Sequence, residues 1–155
     1  MEEPSPRAPY AVGRGEGRGF TFANGNRVEV KAGGELSDGR LTLIEGTHMP
    51  HTGPPLHVHD EVDEIFYVLE GSYAITCGER TFDAWPGTFV LVPSGTSHRF
   101  QPGDAGGRML LVYSPGGFEG YFEERHHDEA QHGSGLSPDQ LDSLGRKYGM
   151  RLERR

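Results

Sequence analysis

Pro55-Leu-His-Val-His-Asp-Glu-Val-Asp-Glu64 and, later in the chain, Pro93-Ser-Gly-Thr-Ser-His98 hold the most chemistry in the sequence. His57 and His59 are two residues apart, so on an extended strand their side chains project to one face. Glu64 follows a short acidic turn and begins the apolar run Ile65-Phe-Tyr-Val-Leu69. His98 comes just after a tight Pro-Ser-Gly turn. Three imidazoles and one carboxylate make a mixed nitrogen and oxygen donor set, which suits Fe, Mn, Co, Ni, Cu or Zn better than Ca or Mg. Four protein donors leave positions open on such a metal for a substrate oxygen or O2. Taken singly, each histidine is more often a surface or hydrogen-bonded residue than a ligand, and spacing alone does not show that the two segments meet.

Around these segments the chain reads as short strands separated by turns. Gly19–Ala23, Arg27–Lys31 and Arg40–Glu45 alternate or run apolar over strand length, with a hairpin signal at Asn24-Gly25. Glu64–Leu69, Tyr73–Cys77, Arg80–Phe82, Thr88–Val92, His98–Gln101 and Arg108–Tyr113 follow at similar intervals, punctuated by glycine and proline. This series predicts an all-β sandwich or barrel rather than βαβ units. The expected organisation is a flexible arm over 1–19, a β-barrel over 20–114 and a helical extension over 115–155. In the extension Phe118, Tyr121 and Phe122 share a helical face, and Ser137-Pro-Asp-Gln140 reads as a capping box. The tail is expected to pack on the barrel or on a second subunit, without chemistry of its own.

Bulk properties narrow the function. A chain of 155 residues fits one domain with a buried core. Its formal charge of −8 argues against nucleic acid and anionic membranes, which both reward clustered cations. No run approaches the roughly 20 apolar residues of a membrane span. The start Met-Glu-Glu-Pro-Ser-Pro lacks signal-peptide character, and the single Cys77 fits a reducing compartment, so a cytoplasmic protein is expected. Cys77 itself reads as a packing residue in a strand.

The two segments resemble the paired motifs of the cupin family. His57-Val-His59, Glu64 and Gly71 match the first motif, and Gly87, Pro93, Gly95 and His98 match the second, within a resemblance covering roughly residues 40–114. Two positions depart: His51 stands where the motif begins with glycine, and Pro102 where asparagine is frequent. The resemblance implies a jelly-roll barrel (a double-stranded β-helix) with short C-terminal helices. It also implies His57, His59, Glu64 and His98 as ligands of one divalent transition metal per chain. Asp60, Glu61 and Asp63 compete with Glu64 by proximity; the family spacing to Gly71 selects Glu64, and the others read as solvated turn acids.

Within cupins the motif details and Tyr113-Ser-Pro-Gly-Gly-Phe-Glu-Gly-Tyr-Phe122 are most similar to single-domain proteins of the quercetin-dioxygenase type. That implies a metal-dependent dioxygenase acting on a small flavonol-like, phenolic or enolisable substrate, with Glu64 also taking a substrate proton. A dry barrel would raise the Glu64 pKa for that role. An O2-independent isomerase, cyclase or lyase, and a non-enzymatic small-molecule binder, are the alternatives. If Glu64 and His98 point inward, strand parity places Phe66, Val68 and Phe100 in the pocket. His51 is placed with these pocket residues: it could supply a proton or an extra ligand, but reads first as a loop residue at the barrel mouth, and His48 has the same status. The family further implies a homodimer, with Gly19–Lys31 as the edge to be exchanged.

Overall fold

Most strands end at the glycines and prolines that the sequence marks, and a computed structural model, described for residues 8–153, arranges them into one antiparallel barrel with two helices at its end. In chain order the elements are β1 (Arg18–Thr21), β2 (Arg27–Ala32), β3 (Thr42–His48), β4 (His57–His59), β5 (Asp63–Cys77), β6 (Arg80–Ala84), β7 (Phe89–Val92), β8 (His98–Ser114), α1 (Glu119–His132), α2 (Pro138–Arg146) and β9 (Met150–Leu152). The sheet runs β1-β2-β3-β8-β4-β9, with β5 joining β8 to β6 and β7. β1 and β2 form the hairpin about Asn24-Gly25, where the Gly25 N–H donates to the Phe22 carbonyl at 2.9 Å. No helix among the described residues is long and apolar enough to cross a membrane.

The central feature is the ribbon of β5 and β8. Each merges two segments that read as separate strands in the sequence, and the pair is in register from Asp63↔Ser114 to Cys77↔His98. Straight strands would hold Glu64 and His98, at opposite ends of this ribbon, about 40 Å apart. The ribbon instead folds over at irregularities between Val68 and Glu70 and between Gly71 and Tyr73. Gly71 has φ 75°, and a Cβ there would lie 2.2 Å from the Gly106 carbonyl oxygen on the facing strand. Only glycine permits both that backbone conformation and that approach. The fully buried Phe66, Val68, Ile75, Ile44 and Met109 fill the folded ribbon.

The two ends of the chain differ from a simple arm and a helical tail. Residues 1–7 of the expected arm lie outside the described residues. Beyond them Gly15 and Gly17 donate backbone N–H groups to the Glu29 carboxylate at 3.2 and 2.8 Å, tying the segment to β2. At the other end α1 is fastened to the barrel by Glu119, which accepts from the Gly34 N–H at 2.8 Å and from the Thr42 hydroxyl. α2 begins with the expected capping box, Ser137 and Gln140 bonding reciprocally. The chain then returns as β9 alongside β4, pairing His57↔Leu152 and His59↔Met150. Three residues are too few for a strand signal, so only the long-range pairing reveals β9.

Candidate metal centre

The short strand β4 presents His57 and His59 to the barrel interior, both buried. It is held between β8, through His57↔His98, and β9. The second motif locks onto the first through its turn: Gly95 N–H donates to the His59 carbonyl at 2.8 Å, and Ser94 N–H donates to the Asp63 carboxylate at 2.8 Å. Asp63 therefore serves the turn, and Asp60 pairs with Arg151 at 3.2 Å; neither joins the cluster. Folding of the ribbon brings Glu64 to His98, Oε2 to Nε2 at 3.0 Å. Ligand atoms from His57, His59, Glu64 and His98 all lie within 4.8 Å of one another, and all four residues are buried.

The hydrogen bonds suit this set to a metal. His57 Nδ1 lies 2.9 Å from the Pro55 carbonyl, and His98 Nδ1 lies 2.9 Å from the Thr96 carbonyl. A carbonyl can only accept, so each ring carries its proton on Nδ1 and turns Nε2 toward the cluster. Both ring nitrogens of His59 are buried without a hydrogen-bond partner, an arrangement that is costly unless something occupies the site. Three nitrogens and one carboxylate oxygen fit a divalent transition metal.

The electrostatics correct one expectation. Burial pushes the Glu64 carboxyl up, but the His98 hydrogen bond and the charges of His98, His59 and His57 prevail and bring it down to about 2. The raised carboxyl pKa expected of a dry barrel is thus reversed by the surrounding imidazoles. Burial lowers His98, yet its bond to Glu64 and that negative charge hold it above the usual histidine range. His57 is driven down to about 3 by burial, with His98 adding to the effect. The site therefore keeps an ionised carboxylate ready for a cation, and metal binding competes with a proton on His98.

Above the cluster lies a cavity of about 130 Å³. Phe100 lines it, as the parity with His98 implies. Phe66 and Val68 also point inward, but they are wholly buried in the barrel core and do not line the cavity. His51 is away from it, exposed, with Nε2 2.8 Å from the Asp104 carboxylate. It lines instead a separate shallow pocket with Tyr73, Trp85 and Gln101. Cys77 packs against the core, its thiol pKa raised by burial.

Two contributions to the cavity escape the sequence reading. The first is the C-terminal extension: Phe118 roofs the site with its ring 4.8 Å from that of His59, and Tyr121, Phe122, Arg125 and Met150 add to the wall. The tail thus does more than pack. The second is His48, read as a loop residue but placed as the last residue of β3. The signal was the continued alternation Thr42, Ile44, Gly46, His48, all buried. Its Nδ1 lies 2.8 Å from the Tyr73 hydroxyl, and its ring rests 4.8 Å from that of Phe100.

Burial drives the His48 pKa down to about 4 from an ordinary 6.5. As the pH falls below 6.5 the unfolded chain takes up a proton that the folded ring refuses until about pH 4. The His48 share of stability is complete above pH 6.5 and drains between those limits, about 3 kcal/mol in total. His48→Gln, which cannot titrate, should flatten the fall in urea-unfolding free energy across that window. An unchanged slope would refute the assignment.

A cupin-domain sequence family matches residues 44–113, from β3 to the end of β8. Over 122 residues, 78% of its length, the chain is 27% identical to the quercetin 2,3-dioxygenase of Bacillus subtilis (strain 168), and it spans 36% of that relative. In fold it is similar to KdgF from Halomonas sp., with a TM-score of 0.65 at 16% identity over 72% of this chain and 98% of that one. An RmlC-like cupin from Shewanella frigidimarina NCIMB 400 gives a TM-score of 0.61 at 15% identity, over 70% and 92% of the two chains. With the paired histidine motifs brought together in such a barrel, the fold is that of a cupin, and residues 44–113 match the cupin-domain family.

Proposed function

We propose that the protein is a metal-dependent enzyme, a dioxygenase acting on a small flavonol-like, phenolic or enolisable substrate. His57, His59, Glu64 and His98 would hold one divalent transition metal. Such a metal, once bound, would polarise a substrate oxygen and offer open positions for substrate and O2. The observation that carries the reading is the buried cluster itself, with ligand atoms within 4.8 Å and the His59 nitrogens unpartnered, at the floor of an aromatic cavity. The sequence similarity to a quercetin 2,3-dioxygenase supports the reaction class.

The chain's own residues would then divide the remaining work. Phe118 and Tyr113, with rings 4.8 and 5.7 Å from His59, would keep bulk water from the floor. Phe100 and Phe118 would hold a planar substrate. Glu64, ionised, would be the acceptor nearest a substrate hydroxyl proton, although its lowered pKa makes it a weak base.

A second reading rests on His48. This neutral imidazole on the cavity wall, braced by Tyr73, is a proton-transfer group separate from the ligands. Acid–base chemistry without O2 (an isomerase, cyclase or lyase) needs such a group. The test is oxygen uptake by metal-reconstituted protein with flavonols and enolisable phenols. Uptake that follows substrate loss supports the dioxygenase. Turnover of the same compounds in strictly anaerobic buffer would overturn it in favour of the second reading.

A further inference from the structure

Arg125 stands out among the cavity residues: it is the one lysine or arginine among the described residues that line the cavity. Charged side chains are rarely placed in an aromatic wall unless something holds them there. Here the guanidinium carbon sits 4.3 Å above the centre of the Phe22 ring. Its Nε donates to Glu129 Oε1 at 3.1 Å. Glu129 is itself buried, with its second oxygen accepting from the Ala23 N–H at 3.0 Å. No other carboxylate among the described residues pairs with Arg125.

These contacts fix the plane of the guanidinium from one face and one edge. Arg125 is held more firmly than an exposed arginine, whose side-chain freedom opposes any ordered contact. Glu129 engages Nε and the Tyr121 side chain also hydrogen-bonds the guanidinium, which still leaves further terminal N–H donors on the fork. A planar fork of this kind matches a carboxylate in two parallel hydrogen bonds. His57, His59 and Glu64 of the cluster line the same cavity, together with Phe100 and Phe118.

We infer that Arg125 is a specificity-determining residue that binds an anionic group of the substrate, and that the substrate is a small aromatic or apolar carboxylic acid. This deepens the preceding reading and rests on it for the metal-proximal part of the cavity alone. Phe22 and Glu129 position the guanidinium; Arg125 touches the substrate. An acid of this class would lie with its reacting end toward the histidines and its carboxylate toward α1.

The test compares 2-hydroxybenzoate with its neutral amide, 2-hydroxybenzamide, by calorimetric titration of the full chain. Both metal-loaded and metal-stripped protein are used. The acid should bind the wild-type chain more tightly than the amide, and Arg125→Met should shrink that ratio by about tenfold or more while leaving amide affinity unchanged. A metal also favours the acid, so the readout is the change in ratio between variants. If Arg125→Met fails to fold, Glu129→Gln decides. Removing the neutralising carboxylate should raise the acid-to-amide ratio, and a ratio that stays or falls overturns the proposal. No acid preference in the wild type, or a preference that survives Arg125→Met, also overturns it. Metal content is measured on the same samples. Absence of metal binding would sink the metal-enzyme reading, whereas the ratio on stripped protein judges Arg125 independently.

Discussion

His98→Ala is expected to lose bound metal and folding stability together, whereas His57→Ala loses chiefly the metal. Both rings offer Nε2 to the cluster, so removing either should lower metal affinity at least about a hundredfold. The difference lies with Glu64. Its carboxylate is 2% exposed and takes its hydrogen bond from His98 at 3.0 Å. Deleting His98 removes the charged partner of a buried carboxylate and leaves it only the Tyr113 hydroxyl and the more distant His59, at a cost of about 3 kcal/mol to the metal-free protein. His57 contacts the Pro55 carbonyl instead, and its loss strands no charge. Elemental analysis after dialysis and urea unfolding of the stripped variants read the two effects separately. Adding Glu64→Ala to His98→Ala should restore part of the stability. Metal content that stays at the wild-type level in both single variants would show that the ligands are elsewhere.

Gly71→Ala should be among the most damaging single changes outside the ligand set. The φ of 75° disfavours any side chain, and the new methyl would start 2.2 Å from a backbone oxygen of Gly106. Neither strand can yield without opening the fold in the β5/β8 ribbon. A loss of about 3 kcal/mol or more is expected, a large part of the 5–15 kcal/mol typical of a domain. The same change should weaken metal binding, because the bend delivers Glu64 to His98. Gly78→Ala is a fair control: it also has positive φ, at 59°, yet nothing lies within 4 Å of its Cβ position. Equal effects of the two substitutions on metal content would show that the bend does not set the ligand geometry.

The sequence carried the local parts of this architecture. Alternation marked the strands, and Pro93-Ser-Gly95 marked the turn that hangs from the His59 carbonyl. What it could not carry were contacts made at a distance. Parity correctly sends Phe66 inward, but inward positions near the Glu64 end divide into core and cavity according to the bend of the ribbon. The apolar face of α1 was plain, whereas its landing place above His59 depends on Glu119 reaching Gly34 and Thr42. His48 was legible in part, since β3 keeps its alternation across Gly46; the glycine hides the continuation because it has no side chain to show a face. The pKa of Glu64 was misread because burial is one influence among several, and the surrounding imidazoles belong to other strands.

The folded ribbon also sets an order of events. Contacts between residues far apart in the chain form late, because loop closure must precede any reward from them. His57, His59 and Glu64 are neighbours in sequence, but the fourth ligand arrives only once β8 has paired along β5 and the ribbon has doubled back. During synthesis the first three emerge well before His98. The complete donor set is therefore available only to a chain whose longest pairings are already made, so metal capture would act as a late checkpoint on folding rather than as its seed.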